Sequence, residues 1–202
     1  MPQSLYSYCI IHDNGAAPNP FWGVCTLAIC KPKIRKAVKV KDWVAGTGSS
    51  EYGFENQLIY AMEVTRKMTF EEYDRFCKTE LPEKIPIKGF TKDLRKKVGD
   101  CLYDYSSGKV EMRDWGVHTL VNMSKDLSGE FVLLSDHFYY FGSQPVPLPG
   151  HLLKIVKKGQ GHKSKSNAPY VEEFIKWITS FKKEKKKVNV SPFGLKLFEN
   201  EE

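Results

Sequence analysis

Two adjacent pairs, His12-Asp13 and Asp136-His137, set an imidazole beside a carboxylate. Imidazole titrates near neutral pH, so such a pair can move a proton or hold a phosphate. Both pairs follow strand-like runs, LYSYCII and FVLLS. They are the candidate catalytic groups. The plainer role is structural, with Asp13 opening an Asx-turn and His12 half-buried. A single-site enzyme requires the two pairs to converge.

Phosphate chemistry has its own candidates. Gly159-Gln160-Gly161-His162-Lys163 combines glycines, whose amides can approach an anion closely, with a histidine and a lysine. It lacks the spacing of a Walker loop. Lys31 and Arg35 belong to a second basic stripe with Lys33, Lys36, Lys39 and Lys41, beside Phe21, Trp22 and Trp43. Basic groups interleaved with aromatics suit phosphates and stacked bases. This makes Trp22, Trp43 and Tyr140 candidate stacking surfaces. A solvated strand face is the alternative for the stripe, and a mobile basic loop for the glycine segment. The G-x-S-x-G, H-E-x-x-H, G-x-G-x-x-G and zinc-deaminase patterns are absent. The sequence assigns no cofactor, which stays unknown.

Elements must position these groups. Residues 5 to 12 read as a strand, and 13 to 20 (DNGAAPNP) as turn chemistry. Residues 21 to 30 read as a second strand ended by Lys31-Pro32, and 37 to 46 as a strand pair or bent strand. Residues 56 to 66 read as a strand. Thr69 with Glu72 predicts a capped helix over 70 to 79. Residues 81 to 100 read as a long exposed loop, and 101 to 105 and 109 to 113 as a paired hairpin. Phe131 to Leu134 predicts a buried strand followed by an aromatic turn. Residues 145 to 150 read as a rigid linker, and 170 to 181 as an amphipathic closing helix. The expected fold is α+β: a mixed or antiparallel sheet, or a small partly open barrel, with flanking helices. One domain is expected over 1 to 182, with a charged, frayed tail from 183 to 202.

The chain has 202 residues, of which 41% are hydrophobic and 13% aromatic, enough for a core. No apolar run reaches the roughly 18 to 20 residues of a membrane span. The N-terminus lacks a secretory pattern, so a cytoplasmic setting is expected. Five cysteines, an odd number, read as reduced thiols. Cys25 and Cys30 lack a finger-spaced partner pair, so they read as small buried hydrophobes and no metal is expected. The net charge of +7 is uneven. Residues 151 to 187 hold 11 Lys and 3 Glu, a balance of +8; the remaining 20 basic and 21 acidic residues leave −1. A basic segment favours an anionic partner such as a nucleotide or nucleic acid.

Three stretches in order carry a family resemblance: Tyr8 to Arg35 leading into DWVAGTGS at 42 to 49, LSDHFYYFG at 134 to 142, and GQGHK at 159 to 163. The H-D-x-G-x-A-P-N-P and C-K-P-x-I-R strings are long and specific. Together the stretches resemble the nucleotide modification associated domain family, type 2, over about residues 5 to 180. The resemblance implies a place among phage and bacterial systems that modify bases in DNA, alongside base-modification enzymes. It brings no assigned catalytic residues. His12, Asp13, Asn19, Lys31, Arg35, Asp136, His137, Gly161 and His162 are chemical candidates inside the matching strings.

Three functions follow as expectations. One is an enzyme acting on a nucleotide or a base in DNA. The second is a non-catalytic module that recognises a modified base, which needs an aromatic cage. The third is an accessory scaffold, which needs neither.

Overall fold

The computed structural model describes residues 2–181, 188 and 190–194. Strand β1 (Leu5–Ile10) is followed by a turn-rich segment and the short β2 (Cys25–Leu27). Helix α1 (Pro32–Ala37) leads to β3 (Trp43–Gly48), β4 (Gln57–Glu63) and β5 (Arg66–Thr69). Helix α2 (Phe70–Thr79), the hairpin β6 (Tyr103–Asp104) and β7 (Glu111–Met112), and helix α3 (Leu120–Leu127) come next. Strands β8 (Phe131–Ser135), β9 (His137–Tyr140) and β10 (Val146–Pro147) precede helix α4 (Val171–Ile178).

The main sheet runs β1-β3-β4, with β9 and β10 both on the far edge of β4. Strands β1 and β3 are parallel, joined through α1, and the other pairings are antiparallel. A second sheet runs β2-β8-β5. The fold is therefore α+β with mixed and antiparallel sheets, and the sheets do not close into a barrel. Alternation along the strands divides the apolar residues between two cores. Tyr8, Ile10, Tyr60 and Met62 from the main sheet meet Leu27 and Leu133 of the second. On the opposite face Trp43, Ala45 and Tyr139 meet Phe174 and Ile178 of α4.

Several elements differ from expectation for local reasons. Lys31-Pro32 opens a helix, because proline at the first helical position needs no amide partner. The stretch after it is no strand pair. Lys41 has φ 79°, and the Asp42 carboxylate accepts from the Lys39 amide, closing a tight turn before β3, and from the Ser4 amide just before β1. The strand expected over 21 to 30 shrinks to three residues, since Trp22 and Cys30 both take positive φ. Residues 81 to 100 are not simply exposed: Lys84, Val98 and Asp100 are buried. Residues 138 to 140 belong to β9 rather than to a turn, and part of the linker forms β10. The helix over 70 to 79 forms as expected, with Thr69 and Glu72 completing a capping box.

Residues 183–187, 189 and 195–202 of the expected tail lie outside the described residues. The described part packs on the body. Val188 is buried, Ser143 donates to the Ser191 carbonyl, and the Phe193 ring lies 4.9 Å from that of Tyr52. No helix among the described residues is long and apolar enough to cross a membrane.

Candidate active site

A cavity of about 540 Å³ opens at the carboxyl end of β1, the position where open α/β sheets usually receive ligands. One wall is β1 itself, from Tyr8 to His12. The second is the entry to α1, from Cys30 to Ile34. The third is α3 with its approach: His118, Asn122, Lys125 and Asp126. The fourth is the loop Gly159–His162. That loop is anchored by a two-bond bridge between Ser7 and Lys163, and the His162 ring lies 5.9 Å from that of Tyr6.

The entry to α1 is bent sharply. Cys30 and Lys31 take φ of 59° and 42°, in the left-handed region that non-glycine residues avoid. Two such residues in succession store strain that the surroundings must hold. Arg35 supplies the hold. It is fully buried, and its guanidinium donates to the carbonyls of Cys30 (2.8 Å), Asp126 and Phe131. Gly129 makes room for it: a Cβ there would sit 2.5 Å from the guanidinium carbon. Burial pushes Arg35 down to about 10, with the Asp126 charge opposing.

Asp126 is 1% exposed and fully used. Its carboxylate accepts from the Cys30 amide (2.9 Å), the Tyr103 hydroxyl (2.9 Å) and His118 Nδ1 (2.5 Å). Burial alone would raise its carboxyl, but these bonds hold it below the usual range. The other nitrogen of His118, Nε2, lies 3.5 Å from Cys30 Sγ. Burial works to lower His118, yet its bonds to Asp126 and Cys30 outweigh that and raise it to about 9. His118 is thus a cation at neutral pH.

Lys31 Nζ lies 4.5 Å above the Tyr8 ring and 3.5 Å from the Cys9 carbonyl. Burial lowers its pKa, as does nearby Lys125. His162 is lowered by burial and by Lys33. The cavity therefore presents Lys31, Lys33, Lys125 and cationic His118 against one carboxylate, Asp126, whose oxygens are occupied. An anion fits this charge pattern.

The expected site residues distribute as follows. His12, Lys31, Gly159, Gly161 and His162 line the cavity together. His12 is exposed, with Nδ1 3.0 Å from the Tyr52 hydroxyl. Asp13, next to it, is buried, accepting from the Tyr140 hydroxyl (2.5 Å) and the Gly15 amide (3.0 Å). Asn19 is also buried, bonded to Val98 and to the Lys84 ammonium. Lys163 turns its ammonium to the Lys154 carbonyl, and Arg35 serves the bend.

Asp136 and His137 are not brought to the cavity. Asp136 is the corner at which the chain leaves β8 and enters β9, its amide on Thr65 Oγ1. His137 bonds Glu63 (2.7 Å) beside Trp43, on the sheet face covered by α4. The two histidine–carboxylate pairs therefore do not form one site. The stacking candidates are occupied too. Trp43 and Tyr140 are 1% exposed, and the Arg95 guanidinium covers the Trp22 ring at 4.5 Å. These three rings form no open cage.

Cys30, His118, Asn122, Lys125 and Asp126 were missed as site residues. Cys30 sits inside the C-K-P-x-I-R string, which was the one available signal. Asn122, Lys125 and Asp126 lie on α3 and His118 just before it, and Leu120 and Val121 of that helix face outward at 69% and 90% exposure. Met123 and Leu127 pack on the core, but the two exposed apolar residues blur the pattern that would mark the inward face.

Residues 2–197 match the family described as nucleotide modification associated domain 2. No curated protein and no solved structure matches.

Proposed function

We propose that this chain, which belongs to the nucleotide modification associated domain 2 family, receives a nucleotide, free or within DNA, in the cavity at the end of β1. The family description supports a role in nucleotide modification systems. The observation that carries the finer reading is the charge of the cavity: four cationic groups and a single, fully bonded carboxylate.

The volume falls in the range of small-molecule sites. Lys33 and Lys125 meet the phosphates, His118 adds its charge while its ring nitrogens stay on Asp126 and Cys30, and Gly159 to Gly161 line a further wall. Ile11, Ala17 and Pro32 give the base an apolar surface. The Lys31 ammonium is held between Tyr8 and Cys9, so it contributes charge more than reach.

Titration calorimetry tests this with a deoxynucleoside triphosphate in one arm and a short oligonucleotide in the other. Lys33→Ala and Lys125→Ala should each weaken binding by about five-fold or more, on the order of 1 kcal/mol. For an oligonucleotide, each should also reduce the slope of log K against log salt by about 1. Absence of binding to both probes at low salt sinks the reading.

A further inference from the structure

We propose that Cys30 is the nucleophile, and His118 the acid–base, of a Cys30–His118–Asp126 triad that performs acyl transfer inside the cavity. The proposal rests on the nucleotide reading only for the acyl acceptor. Three observations carry it.

The first is the chain of contacts: Cys30 Sγ to His118 Nε2 at 3.5 Å, then His118 Nδ1 to Asp126 Oδ2 at 2.5 Å. An imidazole oriented by a carboxylate and facing a thiol is the arrangement that activates a cysteine. The second is access. Cys25, Cys77 and Cys101 are at most 2% exposed and Cys9 is 8%, whereas Cys30 is only half-buried and lines the cavity beside His118. The third is the bend. Cys30 and Lys31 hold left-handed backbone, and Arg35 and Asp126 grip the Cys30 carbonyl and amide. A half-exposed residue kept in strained geometry by two buried charged groups points to function rather than packing. Cys30 and His118 are catalytic residues in this scheme; Asp126 and Arg35 are positioning residues.

The chemistry balances without an oxidant or metal. The Cys30 thiolate attacks the carbonyl carbon of an ester, thioester or amide donor. The bond to the leaving group breaks as that group takes the proton of the His118 imidazolium, leaving a thioester on Cys30 and a neutral imidazole. Water, or the amino group of the nucleotide in the same cavity, then loses a proton to His118 and attacks the thioester. The acyl group departs as an acid or amide, and Cys30 and His118 return to the state in which they began.

The full chain is treated with p-nitrophenyl acetate at pH 7 and mapped by mass spectrometry. The expected result is a nitrophenolate burst of one equivalent, with a single acetyl group on Cys30. Cys30→Ala should abolish the burst, and His118→Gln should slow it at least about ten-fold. Acetylation spread over lysines with Cys30 unmodified overturns the proposal, as does a His118→Gln burst as fast as the parent's. Asp126→Asn is followed by NMR of His118, whose midpoint should fall from about 9 toward 6.5. An unmoved midpoint removes Asp126 from its positioning role, whatever the packing does. A deoxynucleoside triphosphate should protect Cys30. Acetylation of Cys30 without protection sinks the nucleotide reading and keeps the triad. Nucleotide binding by a chain whose Cys30 stays inert does the reverse.

Discussion

Asp13 lies beside His12 in sequence, yet the two differ in every physical respect. His12 is exposed, while Asp13 is 1% exposed and bonded to Tyr140 and Gly15. Burial pushes its carboxyl from 3.8 up to about 6, with the two hydrogen bonds opposing. Between those values the folded state holds more protons than the unfolded. Stability contributed by Asp13 is therefore lost as pH rises from about 4 to about 6. Asp13→Asn keeps the acceptor for Gly15 and removes the titration. Denaturant unfolding should show the variant gaining on the parent across that window, by at most ~3 kcal/mol. His118 has the opposite sense. Its folded value of about 9 exceeds the ordinary 6.5. Its contribution is fully present below 6.5 and is lost as pH rises through 9. The same unfolding series should show the parent losing stability relative to His118→Gln from about pH 6.5 to 9.

At the scale of elements, what was legible was local chemistry. The capping box at Thr69 and Glu72 is a pattern of two residues that acts within one turn, and α2 starts where it says. The β1 and β4 strands carry runs of aromatic and β-branched residues that the two faces of the main sheet bury. What was not legible depended on partners distant in sequence. The Lys39–Asp42 turn mimics an alternating strand until the Asp42 carboxylate is seen to hold Ser4. The stretch 131 to 141 reads as a strand and then an aromatic turn, although Ser135 Oγ bonds the His137 amide and carbonyl and turns the chain into β9 of the other sheet. Close approach between strands is a further example. A Cβ on Gly46 of β3 would lie 2.3 Å from Ile10 Cδ1 and 2.6 Å from the Tyr60 ring. Gly46→Ala should cost about 1–3 kcal/mol by overpacking, measured as a lower denaturant midpoint. Thr69→Ala should cost about 1 kcal/mol in the same assay through loss of the cap.

Over the whole molecule, the charge asymmetry and the cavity part company. The +8 segment from 151 to 187 contributes the backbone of the Gly159–His162 loop, but the cavity's cations Lys31, Lys33, Lys125 and His118 all come from the near-neutral remainder. Part of the site was readable because His12, Lys31 and the glycine loop lie in specific strings. The rest was hidden because Cys30 and His118 stand 88 residues apart and meet only through the α1–α3 contact. The Gly159–His162 loop has a second duty beyond shaping the cavity. Strand β1 is the outer strand of its sheet, and on its free side the Ser7–Lys163 bridge and the Asn167 side chain, bonded to the Leu5 carbonyl, occupy groups that another strand could use. Uncovered edges of apolar strands template pairing between molecules. Loop exchanges over 159 to 163 made to alter ligand preference would therefore also alter self-association, and size-exclusion profiles of such variants should broaden toward dimers and larger species.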